Sequence, residues 1–215
     1  MTPIVMISFY TPDNVIRLVR ELARELSHVP VVVFDNNTSH RLLDGERAFL
    51  DALPWVRRVP VGPDLEHGDV IDFGREWLLS QGYETMVHIE PDCIVHSAKW
   101  YNELVTALEG RWGAFSIHLE DGRYHPTPSA WDLRKTQHLS WRFRRKGDEV
   151  LDKQYSSLVK DERCVCPWLR KSWDTAQYAW YCCARDGMAA AVPGTDFRHL
   201  WGGSSKFSMF QTPLL

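Results

Sequence analysis

The residues best suited to chemistry lie in Met86-Val87-His88-Ile89-Glu90-Pro91-Asp92-Cys93-Ile94-Val95. This is an apolar run that ends in two carboxylates flanking a proline and then resumes as a second short apolar run. A buried strand with an acidic pair at its C-terminal tip sets hard oxygen ligands at the mouth of a sheet. There they can hold a divalent cation, and the cation can hold phosphates. Proline fixes its own φ and removes a backbone donor, so the acidic corner is expected to be a stiff bend. A strand closed by an ordinary polar turn is the plainer alternative. Two further strand tips carry polar groups, Ser8 to Thr11 and Asp35 to Ser39. Asp35 is suited to accept hydrogen bonds from a nucleobase or ribose, whereas Asn36, Asn37, Thr38 and Ser39 serve equally as Asx-turn or helix-capping residues. In His67-Gly68-Asp69 the glycine before a helix lets backbone approach a phosphate, or simply makes a turn.

These groups need elements to position them. Ile4 to Phe9, Val31 to Phe34, Val56 to Val61, Thr85 to Ile89 and Trp112 to His118 read as strands. Between them, helical spacing predicts a helix capped by Asp13 or Asn14 with Val15, Leu18, Val19, Leu22 and Leu26 inward. Further helices are expected through Leu42, Leu43, Phe49, Leu50 and Leu53, from Val70 to Gln81 after Gly68-Asp69, and from Ala98 to Leu108. Strand–helix alternation with strands apolar on both sides implies a mostly parallel α/β sheet whose strand C-termini converge on one ligand. The second half reads differently. Residues 120–148 are polar, contain prolines and lack a clear period. A helix is expected from Asp174 to Tyr181, and Phe197 to Phe210 is expected to loop over the site.

At 215 residues the chain can bury a full core, and 44% hydrophobic with 25% charged residues is ordinary for a soluble globular protein. A net charge of -3 argues against a protein built around nucleic acid or an anionic membrane. No stretch approaches the roughly 20 apolar residues that span a bilayer, and the first residues lack the basic n-region of a signal peptide. Five cysteines without regular spacing fit reduced thiols, so a cytoplasmic location is expected. Ten tryptophans, concentrated in the second half, supply core or faces for stacking sugars.

The order strand–Tyr10-Thr11, strand–Asp35-Asn36-Asn37-Thr38-Ser39, Gly68 before a helix, and strand–Glu90-Pro91-Asp92 resembles the nucleotide-diphospho-sugar glycosyltransferases of the GT-A fold. The likeness is closest to the broad inverting group typified by bacterial polysaccharide synthases, and covers residues 1 to about 118 in order and spacing. It implies one GT-A-like domain over 1–215, with a nucleotide-sugar-binding half (1–118) and a reduced acceptor-binding and catalytic half (119–215). It also implies that Asp35 contacts the nucleobase. Tyr10, Thr11, Asn37, Gly68, Asp72 and Arg75 complete the donor side, and Asp92 with Glu90 binds Mg²⁺ or Mn²⁺ on the diphosphate. Later, Trp173-Asp174-Thr175-Ala176-Gln177 resembles the acidic segment whose Asp is the general base. Phe197-Arg198-His199-Leu200-Trp201-Gly202-Gly203-Ser204 resembles the His-containing loop that completes the metal site. Taken by local sequence alone, Asp174 reads equally as a helix N-cap and His199 as a polar loop residue.

The resemblance thus implies a metal-dependent inverting transfer of a sugar from a UDP- or GDP-type donor to a hydroxyl or amine of a small-molecule or glycan acceptor. No nucleic acid and no integral membrane segment is involved. Trp131, Trp141, Trp168, Trp173, Trp180 and Trp201 would contribute to the acceptor wall, with Trp173 and Trp201 assigned to substrate. The first acid departs from the usual pattern by being Glu90, expected to ligate directly, act through water or pair with Arg75. The alternatives are a nucleotidyltransferase of related architecture and a non-catalytic sugar- or nucleotide-binding relative. Against the former, Tyr10-Thr11-Pro12-Asp13 is not a Gly-rich, Lys/Arg-bearing phosphate loop. Cys164-Val165-Cys166 and Cys182-Cys183 lack the usual zinc-ligand gap, and Trp141 to Lys146 is too short a basic-aromatic cluster to argue for single-stranded nucleic acid.

Overall fold

The computed structural model describes residues 1–8, 12–36, 42–62, 65, 67–117, 124–137, 189–193 and 197–199; for 115–117, 124–127, 189–193 and 197–199 it describes the backbone. Strands β1 (Ile4–Ser8), β2 (Val31–Asn36), β3 (Val56–Val61), β4 (Thr85–His88), β5 (Cys93–Val95), β6 (Gly113–Ile117), β7 (Tyr124–Asp132), β8 (Ala189–Pro193) and β9 (Phe197–His199) alternate in the first half with four helices. These are α1 (Pro12–Glu25), α2 (Asp44–Asp51), α3 (His67–Ser80) and α4 (Lys99–Leu108). Seven strands form one sheet in the order β3-β2-β1-β4-β7-β6-β8, and β5 pairs with β9 in a separate ribbon. All pairs of the large sheet are parallel except those of β7, which runs antiparallel to both β4 and β6. The mostly parallel α/β sheet expected from the sequence is the one observed.

Side-chain alternation explains why the central strands are apolar at every position. Ile4, Met6, Val31, Val33, Val87 and Ile89 enter a core shared with α1, α2 and α4. Their neighbours Val5, Ile7, Val32, Phe34 and Met86 enter a second core with α3. A strand covered on both faces has no polar side to offer. β3, at the sheet edge, instead alternates buried and exposed residues. On α1, Val15, Ile16, Leu18, Val19 and Leu22 are buried, each worth ~1.5–3 kcal/mol of apolar burial. α1 begins at Pro12, so Asp13 lies in its first turn rather than at its cap. Proline suits the first helical position because its missing N–H has no partner there anyway. α3 likewise begins earlier than expected, placing Gly68 and Asp69 inside the first turn. It ends at Ser80, and the chain turns away at Gly82, whose φ of +83° is the left-handed conformation that glycine accepts.

β7 was not anticipated within 120–148. Pro126 and Pro128 argue against a strand, but the ladder with β4 uses only Ser129 to Asp132, and the pairing with β6 is irregular between Phe115 and Ile117. The prolines thus lie beyond the β4 ladder, beside a register break on the β6 side, where a missing donor is tolerated. Trp131, expected at an acceptor wall, is fully buried in the α3-side core, its Nε1 donating to Ser129 Oγ at 2.8 Å. Phe197–His199 is a strand rather than the start of a loop. The expected helix 174–181, the basic cluster 141–146 and the cysteines at 164, 166, 182 and 183 lie outside the described residues. Among the described residues no helix is long and apolar enough to cross a membrane.

α3 approaches the sheet closely at one glycine. A Cβ on Gly74 would stand 2.5 Å from the Phe34 ring, and that ring is boxed edge-on by Phe73 and Trp77 at 6.0 and 5.9 Å. Gly74→Val should therefore cost about 1–3 kcal/mol through overpacking, more than the few tenths gained in helix propensity. Thermal unfolding should show the midpoint falling by several degrees.

Candidate functional site at the strand tips

β2, β1 and β4 lie side by side and parallel, so their C-terminal ends open onto one edge. Ser8 pairs in register with Asp35, and the β1–β4 ladder is extended by the Ile89 amide donating to Val5 O at 2.9 Å. The alternation that sends Val33 toward α1 and α2 sends Asp35 the same way. Asp35 is 2% exposed. Its Oδ2 accepts from Arg47 Nε of α2 and from Arg58 Nη1 of β3, both at 3.1 Å. Arg58 also grips Asp51 with two bonds, at 3.0 and 2.7 Å. The hydrogen bonds and charge of that fork hold the Asp51 carboxyl below its ordinary pKa and raise that of Arg58. Two guanidinium groups thus neutralise Asp35 from the side while its Oδ1 remains buried without a hydrogen-bond partner among the described residues. Ser8 Oγ and Asn36 Oδ1 are buried in the same condition, although Asn36 Nδ2 donates to Leu65 O at 2.7 Å. Orphaned buried oxygens are costly in a folded protein, and the C-terminal tips of parallel strands are where such acceptors can meet a ligand.

The acidic bend follows directly. The Cys93 amide donates to Glu90 O at 3.1 Å, closing a four-residue turn with Pro91 in its second position, where proline's φ is already set. The turn presents Glu90 and Asp92, both partly buried, and leads into β5. The antiparallel β5–β9 ladder sets His199 opposite Cys93, one residue beyond Asp92. Two segments more than a hundred residues apart in sequence therefore meet at the same corner.

The first turn of α3 reaches this edge as well, because a helix following a parallel strand starts at the strand's C-terminal end. Gly68 is buried there. The ring of His67 lies 5.7 Å from that of His88, the last residue of β4. Burial pushes the His67 imidazole below its ordinary pKa, against a smaller upward pull from the Glu90 carboxylate. One turn further, Arg75 Nη2 pairs with Asp72 at 3.4 Å while Nη1 donates to Thr136 O at 3.1 Å. Asp72 and Arg75 are thus engaged with each other and with the segment following β7.

Of the residues expected from sequence, Asp35, Gly68, Glu90 and Asp92 gather at one sheet edge, and His199 joins them through its strand. Asp72 and Arg75 lie further along α3. Tyr10, Thr11, Asn37, Trp173, Asp174 and Trp201 lie outside the described residues. The sequence assigned no role to Arg47, Arg58 or His88, and His67 entered only as the neighbour of Gly68. Only the adjacent arginines 57 and 58 in an otherwise apolar strand hinted at a buried counter-charge. Cys93 is buried, and among the described residues no three His, Cys, Asp or Glu side chains are grouped to hold a metal ion.

No protein-family model matches the chain, and no curated protein matches it in sequence. Solved structures do. A protein of Desulfovibrio desulfuricans assigned as a nucleotide-diphospho-sugar transferase superposes with a TM-score of 0.54 at 12% identity, covering 90% of this chain and 80% of that one. The galactosyltransferase LgtC, solved with donor and acceptor sugar analogues, gives 0.52 at 14%, over 89% and 73%. A 4-diphosphocytidyl-2C-methyl-D-erythritol synthase gives 0.58 at 12%, over 96% and 95%. The fold is that of the nucleotide-diphospho-sugar transferases, GT-A-like as the sequence order implied.

The half-buried His67 imidazole at this edge gives a measurable pH dependence. With its folded pKa depressed, His67 takes up a proton more readily in the unfolded chain, so stability falls as pH drops below the ordinary value of about 6.5. Denaturant titrations between pH 7.5 and 5 should show this loss, and His67→Gln should flatten it.

Proposed function

We propose that the chain is a metal-dependent inverting glycosyltransferase, moving a sugar from a UDP- or GDP-type donor to a hydroxyl or amine of a small-molecule or glycan acceptor. The observation that carries this reading is the meeting at one sheet edge of the buried acceptor oxygens of Ser8 and Asp35, the Glu90–Asp92 turn and the strand bearing His199. Asp35, neutralised on one oxygen, offers the other to a donor N–H of the nucleobase or a ribose hydroxyl. Tyr10, Thr11 and Asn37 would complete the donor side, and the first turn of α3 at Gly68 presents backbone amides to phosphate. Asp72 and Arg75, assigned to the donor side, pair with each other on α3, and Arg75 ties the helix to Thr136 O.

The residues fit a hard divalent cation by donor chemistry. Asp92, with Glu90 and His199, would hold Mg²⁺ or Mn²⁺, which when bound neutralises the charge gathering on the departing diphosphate. The remaining chemistry belongs to the chain. Asp174 accepts the proton of the acceptor hydroxyl as that oxygen attacks the anomeric carbon from the face opposite the diphosphate, which inverts the centre. Trp173 and Trp201 offer flat apolar faces to sugar rings.

A second reading, nucleotidyl transfer, draws on the likeness to the diphosphocytidyl synthase. It would be recognised by release of pyrophosphate from CTP or UTP with a sugar phosphate, which the first reading excludes. Calorimetric titration with UDP and GDP, with and without Mn²⁺, tests the main proposal. Mn²⁺ should tighten binding of at least one nucleotide, and Asp92→Ala should remove that gain, at least about tenfold in Kd. Unaltered binding in Asp92→Ala would overturn the metal corner. With a donor identified, Asp174→Asn should lower turnover by roughly 10²–10⁴ and leave nucleotide binding intact; full activity would remove Asp174 from the role of base.

A further inference from the structure

One face of α1 carries a ladder of charged residues at successive turns, Arg17, Glu21 and Glu25, and all three reach the backbone of one segment. Arg17 Nη2 donates to Pro91 O at 2.7 Å while its Nη1 donates to Glu21 Oε1 at 2.8 Å. The Val95 amide donates to the other oxygen of Glu21 at 3.0 Å. The Ala98 amide, at the start of α4, donates to Glu25 Oε2 at 2.5 Å. These bonds bracket Asp92 on both sides. Pro91 O belongs to the peptide plane shared with the Asp92 nitrogen, and a peptide plane is rigid, so anchoring that oxygen fixes one side of the Asp92 backbone. The Glu21 bond anchors Val95, whose register partner on β9 is Phe197. The ladder therefore holds the strand that brings His199 to the corner as well as the turn that bears Asp92.

The bonds are charge-assisted and partly shielded, with Arg17 and Glu21 side chains 30% and 14% exposed, so they are stronger than ordinary neutral bonds. α1 already has its five apolar anchors in the core. Its polar ladder is aimed elsewhere, at residues 91–98. We infer that Arg17 and Glu21 are positioning residues for the acidic corner, with Arg17 linking the turn to the helix and Glu21 linking Arg17 to β5. This rests on the function proposed above, since it assigns the ladder to the corner that binds cation and diphosphate.

The test pairs two measurements on the full chain carrying Arg17→Met, which keeps the apolar stem. Hydrogen exchange of peptides covering 91–98 should quicken, while β1 and β2 keep their protection. Titration with UDP or GDP in the presence of Mn²⁺ should show affinity reduced roughly 10- to 100-fold, with binding in the absence of metal unchanged. Arg17→Lys can reach one acceptor but not fork between two, so it should restore part of both effects. Arg24→Met, on the same helix, should change neither. Unchanged exchange at 91–98 in Arg17→Met and in Glu21→Met overturns the ladder, whatever the nucleotide result. Quickened exchange with unaltered Mn²⁺-dependent affinity overturns its positioning role. Wild-type protein that takes neither nucleotide in Mn²⁺ overturns the proposed function and, with it, the assignment of the ladder to a binding corner. A global loss of structure in Arg17→Met, seen by circular dichroism, transfers the comparison to Arg17→Lys against wild type, read by the same two criteria.

Discussion

The two-sided burial of β1 is the constraint on which the rest depends. This strand lies between β2 and β4, with one set of side chains in the core of α1 and α4 and the other in the core of α3. A strand so enclosed cannot carry a polar group along its length without stranding it in apolar surroundings. Polar chemistry is therefore confined to the tips. Parallel pairing then does the rest, because it brings the tips of β2, β1 and β4 to one edge and forces each connecting helix to begin there. The site is a consequence of where the fold leaves polar groups affordable as well as of which residues occur.

Asp35 shows how a charge survives at such a place. It is buried on the core side of β2, where an isolated carboxylate would be strongly disfavoured. Arg58 from the neighbouring strand and Arg47 from the following helix both bond one of its oxygens. Arg58 is itself held by Asp51, so the guanidinium is fixed in orientation before it meets Asp35. The chain of charges from Asp51 through Arg58 and Asp35 to Arg47 leaves Asp35 Oδ1 free of other duty among the described residues. The balance is one of geometry: both guanidinium groups meet one oxygen of the carboxylate and leave the other unused among the described residues.

How much of this was legible in the sequence follows from the range over which each signal acts. The strands of the first half are visible because continuous apolar runs arise only from burial on both faces, and α1 because its apolar spacing is helical. Asp35, Glu90 and Asp92 could be placed because they end such runs. β7 could not, since two prolines speak against a strand, and only the way β4 pairs with residues 129–132 reveals that they lie where the ladder has already stopped. Trp131 could not be told from a ligand-stacking tryptophan, because composition is blind to which face of β7 meets the core. The role of α1 in holding residues 91–98 was equally hidden. Arg17 and Glu21 look like any exposed i, i+4 pair until the turn 74 residues away is brought beside them.

The two acids of the bend are unequal in their surroundings, and this bears on their division of labour. Glu90 opens the turn and its charge is felt at His67, at the start of α3. Asp92 stands on the far side of Pro91, next to β5 and hence next to the strand that carries His199. The proline between them fixes one backbone angle of the bend and removes a donor from it. Burial lowers the pKa of the His67 imidazole, and the Glu90 carboxylate pulls it the other way. Backbone bonds at Pro91, Cys93 and Val95 hold the turn on both sides of Asp92, whereas Glu90 is the acid whose charge reaches α3.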